Sequence, residues 1–286
     1  MAILLRVALT PIAFALVSRA QTRFGDRIGG RLIGLPLTTG PFLLTVCLTE
    51  SRATAARAAA GVTSGQMAVV VFCCAYGCLA RRMRPLQATA SSLCLALAAV
   101  VALSTVAGPW SAATAVWLVI AASLVFWPWP AERSEADAEA ARPDTAEGEP
   151  EGGEAGPAGP APVLQRAAIS TLVVATMSTL VPILGAQLAG VITSAPILLS
   201  IILPSTHRRN GAAGAAALAR GTIVSMAATV AFSVVLSSSL PLLSATAALV
   251  LSAAVLCLLV AATVPLDRVL VRFSPELGRV RALARP

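Results

Sequence analysis

The sequence predicts an all-α, polytopic integral membrane protein with about nine transmembrane helices in two inverted-topology repeats. Three observations lead there. The chain is 57% hydrophobic and 12% charged, with a mean hydropathy of +0.83, whereas a soluble domain carries roughly 25% charged residues. Its apolar runs are long enough to cross about 30 Å of hydrocarbon and are separated by short breaks rich in Pro, Gly or Arg. The two halves also repeat one another in order.

The runs fall at about 2–19, 30–48, 58–80, 86–107, 111–129, 165–184, 186–205, 216–238 and 241–264. The first contains Arg6, and Arg19 breaks the small-residue pattern of a cleavage site, so it reads as a retained helix and not a signal peptide. Pro interrupts the second and seventh. Residues 131–163 are a different material, rich in Glu, Ala, Pro and Gly and lacking aromatics, which reads as a disordered acidic linker. The expected organisation is therefore a first repeat with a connector helix at 1–130, the linker at 131–163, a second repeat at 164–264 and a basic tail at 265–286.

Every one of the 21 basic residues is Arg, and nine of the 13 acids lie in the linker. The Arg residues are dispersed through short loops, which speaks for membrane topology and anionic headgroups as partners, not nucleic acid. Arg19 to Arg31, Arg81 to Arg84, the segment His207 to Arg209 and the tail Arg268 to Arg285 occupy alternate loops. Short Arg-rich loops stay in the cytoplasm. The expectation is a multi-pass protein of the inner (plasma) membrane with its N-terminus outside and C-terminus and linker inside.

The halves match at Arg6 with Arg166, at "GRLIGLPLTTGPFLL" (30–44) with "GAQLAGVITSAPILL" (185–199), and at Gly61 with Gly221. The register moves from 160 to 155 residues and back. Five runs precede the linker, so the second copy enters the membrane from the opposite side, the construction of many secondary transporters. In the central match Thr38-Thr39-Gly40-Pro41 faces Thr193-Ser194-Ala195-Pro196. A Pro in an apolar helix removes an N–H and frees carbonyls that must find partners within hydrocarbon. Flanking hydroxyls and small residues can repair such a kink or build a substrate site. These eight residues are the expected substrate-binding set.

Other polar groups in the runs are few: Arg57 and Arg220, and Gln66, Gln87 and Gln187, which suit cross-helix hydrogen bonds or a polar path. No carboxylate lies deep in a run, so Arg as the intramembrane charge favours an anionic or zwitterionic small-molecule substrate. Six Cys in apolar runs and a single His give no metal set, and no cofactor is expected. With no Ser/His/Asp set, HExxH, P-loop or paired carboxylates, the chain does not read as an enzyme. Trp110, Trp127 and Trp129 suit an interfacial belt, while Trp117 lies deeper.

The stretch "RIGGRLIGLPLTTGPFLLTVCLTESRATAARAAAGVTSGQ" (27–66) resembles the small bacterial GlpM-like membrane proteins, a family implicated in efficient exopolysaccharide production. The resemblance implies two such units fused by the acidic linker, and it carries no functional residues over. The turn "PSTHRRNG" of the second half departs from "TESRATA" of the first. Two functions lead, a secondary transporter or exporter with alternating access and a non-transporting scaffold for envelope or exopolysaccharide assembly; a third, a membrane enzyme acting on lipid, is disfavoured by the scarcity of acid–base residues. Either accommodates a homo-oligomer.

Overall fold

The computed structural model describes residues 35–36, 39–103, 108–126, 176 and 183–262. The expected first helix, most of the sixth, the linker and the tail lie outside these residues. Among the described residues every regular element is a helix. They are α1 (Thr39–Thr49), α2 (Arg52–Leu79), α3 (Pro85–Leu103), α4 (Pro109–Phe126) and α5 (Ala186–Thr193). The segment Ile197–Ser239 is divided at Gly211, whose φ of 70° is non-helical, into α6 (197–210) and α7 (212–239). The last is α8 (Ala245–Ala262).

Four helical segments are long and apolar enough to cross a membrane: Arg52–Leu79, Pro85–Leu103, the composite Ala186–Ser239 and Ala245–Ala262. The helices α1 and Pro109–Val125 are apolar but shorter. The run expected at 30–48 therefore contains a helix of only 11 residues, about 16 Å at 1.5 Å per residue. The run expected at 58–80 begins six residues earlier. Hydropathy reads "RATAAR" as a loop, but Ala is the strongest helix former, and the Ser51 hydroxyl accepts the Thr54 N–H at 3.2 Å as an N-cap.

The described elements pair at one separation. α2 and α7 run from 52 to 79 and from 212 to 239, and α3 and α8 start at 85 and 245, each 160 residues apart. The turns between them match bond for bond. The N–H groups of Arg82 and Met83 donate to the Leu79 carbonyl, and those of Leu242 and Leu243 to the Ser239 carbonyl. Upstream, the Gly40 N–H donates to Pro36 at 2.8 Å, and the Ser200 N–H donates to Pro196 at 2.9 Å. Pro36, not Pro41, is thus the geometric counterpart of Pro196. The local motif match between Pro41 and Pro196 is a similarity of letters.

α2 and α7 cross antiparallel. The Arg52 Nη1 donates to the Leu243 carbonyl at 3.3 Å, and the Thr63 and Ser233 hydroxyls lie 3.0 Å apart, so the partner number falls as the α2 number rises. Two apolar clusters lock the halves together. In one, Phe42 and Leu43 of α1 join Phe232, Leu236 and Leu240 of α7 and its turn. In the other, Ile202 and Leu203 of α6 join Phe72, Tyr76 and Ala80 of α2 and its turn. Each pair of partners is the other shifted by 160 residues.

Two ends result. At one, the Tyr76 hydroxyl lies 3.3 Å from His207 Nδ1, with the rings edge to face, which brings exposed Arg81, Arg82 and Arg84 to the same end as exposed Arg208 and Arg209. At the other, Arg52 meets the uncharged turn 240–244 through the Leu243 carbonyl. Leu86, Leu97, Leu118, Val250 and Leu258 point outward from α3, α4 and α8, as a lipid-facing shell does. Trp117 donates its indole N–H to the Ala227 carbonyl at 3.2 Å and so anchors α4 to α7.

Candidate functional site

The deepest irregularity in the described structure is the break between α5 and α6. It lies against the middle of α2, a helix of 28 residues spanning about 42 Å. Small residues let the backbones approach. A methyl on Gly190 would meet the Ala58 carbonyl and, at 2.8 Å, the Val62 nitrogen. A methyl on Gly65 would meet the Ser194 Cβ at 2.7 Å and the Val191 carbonyl at 2.8 Å. One on Gly61 would fall on Gln187. Gly61-Val-Thr-Ser-Gly65 is thus a GxxxG stripe, faced by Ala186, Gly190 and Ser194 at the same four-residue spacing.

The break leaves backbone groups without partners. The Ser194 N–H reaches the Gly190 and Val191 carbonyls, Ala195 reaches Ile192, Ile197 turns back to Ala195, and Ser200 reaches Pro196. Pro196 has no N–H. Among the described residues no donor therefore reaches the carbonyls of Thr193 or Ser194, and no acceptor meets the N–H of Leu198 or Leu199. These are the negative end of α5 and the positive end of α6, separated by Ser194, Ala195 and Pro196.

Side chains set the character of the break. The Thr193 hydroxyl donates to the Ala189 carbonyl at 2.7 Å. The Ser194 Oγ lies 3.1 Å from the Gly190 carbonyl and 3.3 Å from the Val62 carbonyl, tying α5 to α2. Both residues are buried, and since their protons point at backbone, they offer lone pairs outward. Gln66, one residue beyond Gly65, is 2% exposed.

Of the eight residues expected from sequence, Thr193, Ser194, Ala195 and Pro196 form this break, with Ala195 exposed and Pro196 the buried N-cap of α6. Thr38 lies outside the described residues. Thr39 is buried as the first residue of α1, with Gly40 and Pro41 half-buried behind it. Pro41 sits in the first helical turn, where its missing N–H costs nothing, so it starts a helix and does not interrupt one. No hydrogen bond joins 39–41 to 193–196 among the described residues. Arg57 is exposed and Arg220 half-buried. Gln66, Gly61 and Gly65 and the Leu198–Leu199 N–H groups were not in the expected set. The GxxxG spacing was the available signal for the glycines.

Among the described residues no group of three or more His, Cys, Asp or Glu is placed to hold a metal. Comparison of the chain with family models, curated proteins and solved structures yields no significant match.

Proposed function

We propose that the protein is a secondary transporter or exporter of a small zwitterionic or anionic molecule, working by alternating access around the α5–α6 break. The observation that carries this reading is a broken helix at the mid-depth of α2 with free carbonyls on one side and free N–H groups on the other. Unsatisfied backbone is tolerated at membrane depth only where it lines a cavity or is buried in protein. Half-helix ends of this kind are how transporters hold ions and substrates near the midplane.

Support for an inverted repeat comes from the pairing geometry. Transferred by the 160-residue separation, the Thr63–Ser233 contact sets Cys73 opposite Ile223, and both residues belong to one apolar cluster. The operation relating the halves is centred between Ala68 and Ala228, residues that are themselves counterparts. A two-fold axis there runs across antiparallel helices and hence in the membrane plane. The Arg81–Arg84 and Arg208–Arg209 end would be cytoplasmic and the Arg52 end external, in an inner-membrane protein whose N-terminus is outside and C-terminus inside. Under this reading the GlpM-like resemblance marks each half as one unit, and exopolysaccharide support is the setting of the competing scaffold role.

Reporter fusions after Arg52 and after Arg208 test the frame, and flux in proteoliposomes tests the activity. Arg52 should report outside and Arg208 inside. Thr193→Val, which removes the outward lone pairs while keeping the shape, should lower flux of the transported solute at normal expression. Reporters on the same side, or Thr193→Val with unchanged flux, would overturn the reading.

A further inference from the structure

We infer that the Tyr76–His207 contact is a proton-operated latch, which holds α6 against α2 while His207 is neutral and releases it when His207 takes up a proton. The latch stands whether or not a substrate moves through the protein.

Its first support is the pair itself. The chain has one Tyr and one His, and they meet. The Tyr76 hydroxyl lies 3.3 Å from His207 Nδ1, with the ring centroids 6.0 Å apart and the planes at 81°. A neutral imidazole with its proton on Nε2 accepts the tyrosine proton at Nδ1. Tyr76 is fully buried, and Phe72 packs against its ring at 6.0 Å. The positions 160 residues away, Leu236 and Cys47, are buried and apolar, so packing at this place does not call for a polar pair.

The second support is that α6 has a break at each end. At one lies the Thr193–Pro196 interruption. At the other is Gly211, at φ 70° and ψ −176°, with open space where a Cβ would stand. Residues at element ends that absorb a φ/ψ change are the hinges about which rigid elements swing. Ile202 and Leu203 hold α6 to Phe72 and Tyr76 by apolar contact. His207, one turn beyond Leu203, adds a polar contact at the Gly211 end.

The third support is charge. Arg208 and Arg209 follow His207 on α6, and Arg81, Arg82 and Arg84 come from the turn after α2, all exposed. Arg208 acts on the Tyr76 hydroxyl by charge, and Thr89 of α3 hydrogen-bonds the same hydroxyl. α7 contributes the half-buried Arg220, and the α2 thiols Cys74 and Cys78 are neutral in the range where His titrates. Among the described residues the single carboxylate is Glu50, at the opposite end. An imidazolium at 207 therefore adds positive charge to positive charge, and its Nδ1 no longer accepts. The proton is taken up more readily once α6 has swung away into water. The closed state is thus stable at high pH and is lost as pH falls. Unperturbed His titrates near pH 6.5, and below that value each pH unit favours the open state by up to about tenfold.

Hydrogen exchange of the α6 amides tests the latch in full-length protein in lipid nanodiscs, without substrate. Exchange is referenced to α3 in the same sample, which cancels the intrinsic pH dependence. From about pH 7.5 to about pH 5.5, which brackets the His transition, relative exchange of α6 should rise severalfold in the wild type. His207→Gln keeps an acceptor and cannot be protonated, so it should leave α6 protected at both values. Tyr76→Phe keeps the ring and removes the donor, so α6 should exchange fast already at the higher value. Wild-type protection that ignores pH, protection that still falls with pH in His207→Gln, or Tyr76→Phe as protected as wild type would each overturn the latch. The readout needs no flux, so a protein that transports nothing would sink the transporter reading and leave the latch in place.

Discussion

Replacing Gly61 or Gly190 with Ala should destabilise the protein, although Ala is the better helix former. The gain from helix propensity is up to about 1 kcal/mol. Against it stands backbone. The Gly61 methyl would fall on the Gln187 carbonyl with its carbon at 2.8 Å, and the Gly190 methyl on the Ala58 carbonyl with the Val62 nitrogen at 2.8 Å. Neither obstacle can rotate away, so α5 must withdraw from α2 by on the order of 1 Å, which forfeits a quarter to a half of the dispersion energy along the contact. Overpacking of this kind costs about 1–3 kcal/mol, at the upper end when only backbone can yield. The Ser194–Val62 bond, already 3.3 Å, would be lost as well. The net expectation is a loss of about 2 kcal/mol for either variant. Gly40→Ala is the control: its methyl meets only Pro36, at 3.8 Å, ordinary contact. Heating detergent-solubilised protein and measuring the fraction that stays monodisperse reads the difference. If Gly61→Ala and Gly190→Ala melt at or above wild type, the close backbone crossing is wrong, and the placement of the break against the middle of α2 falls with it.

Two further outcomes test the frame. A double-mutant cycle with Thr63→Val and Ser233→Ala should give a coupling of about 0.6 kcal/mol, the usual size for an interhelical hydroxyl bond in a membrane; zero coupling would separate α2 from α7 at this depth. Ser51→Ala should cost about 1 kcal/mol through loss of the cap on α2, read as a lower melting temperature, and an unchanged one would move the helix start away from Arg52.

What was legible in the sequence was whatever hydropathy and helix breakers decide locally. Pro85 and Pro109 open α3 and α4 close to the expected starts, and the Ser194–Pro196 interruption is where Pro and small hydroxyl residues foretold it. The 160-residue separation of the helices was not legible at the centre, because in an Ala- and Leu-rich chain a Thr-x-x-Pro likeness favours a 155-residue register. The 160-residue separation was already present in the Gly61–Gly221 match. What enforces it at Pro36 and Pro196 is tertiary: Phe42 and Leu43 must reach Phe232 and Leu236 exactly as Ile202 and Leu203 reach Phe72 and Tyr76. Gln66 was visible as an intramembrane amide, but its burial depends on helices distant in sequence.

The helices recur at a 160-residue separation, whereas the polar side chains do not. Gln66 corresponds to Met226, the Tyr76–His207 contact to Leu236 and Cys47, and the Arg81–Arg84 turn to the uncharged 241–244. Under the proposed function this combination has a physical use. Two access states of a symmetric frame are nearly equal in energy because each is the other viewed from the opposite side. Differences of about 1.4 kcal/mol then set their ratio at tenfold, the scale of one buried hydrogen bond. A polar contact at one end, with an apolar one at its counterpart, therefore biases which side is closed at rest without disturbing the packing that both states share. Under the proposed function, the 160-residue correspondence of the two clusters suits motion between two equivalent arrangements.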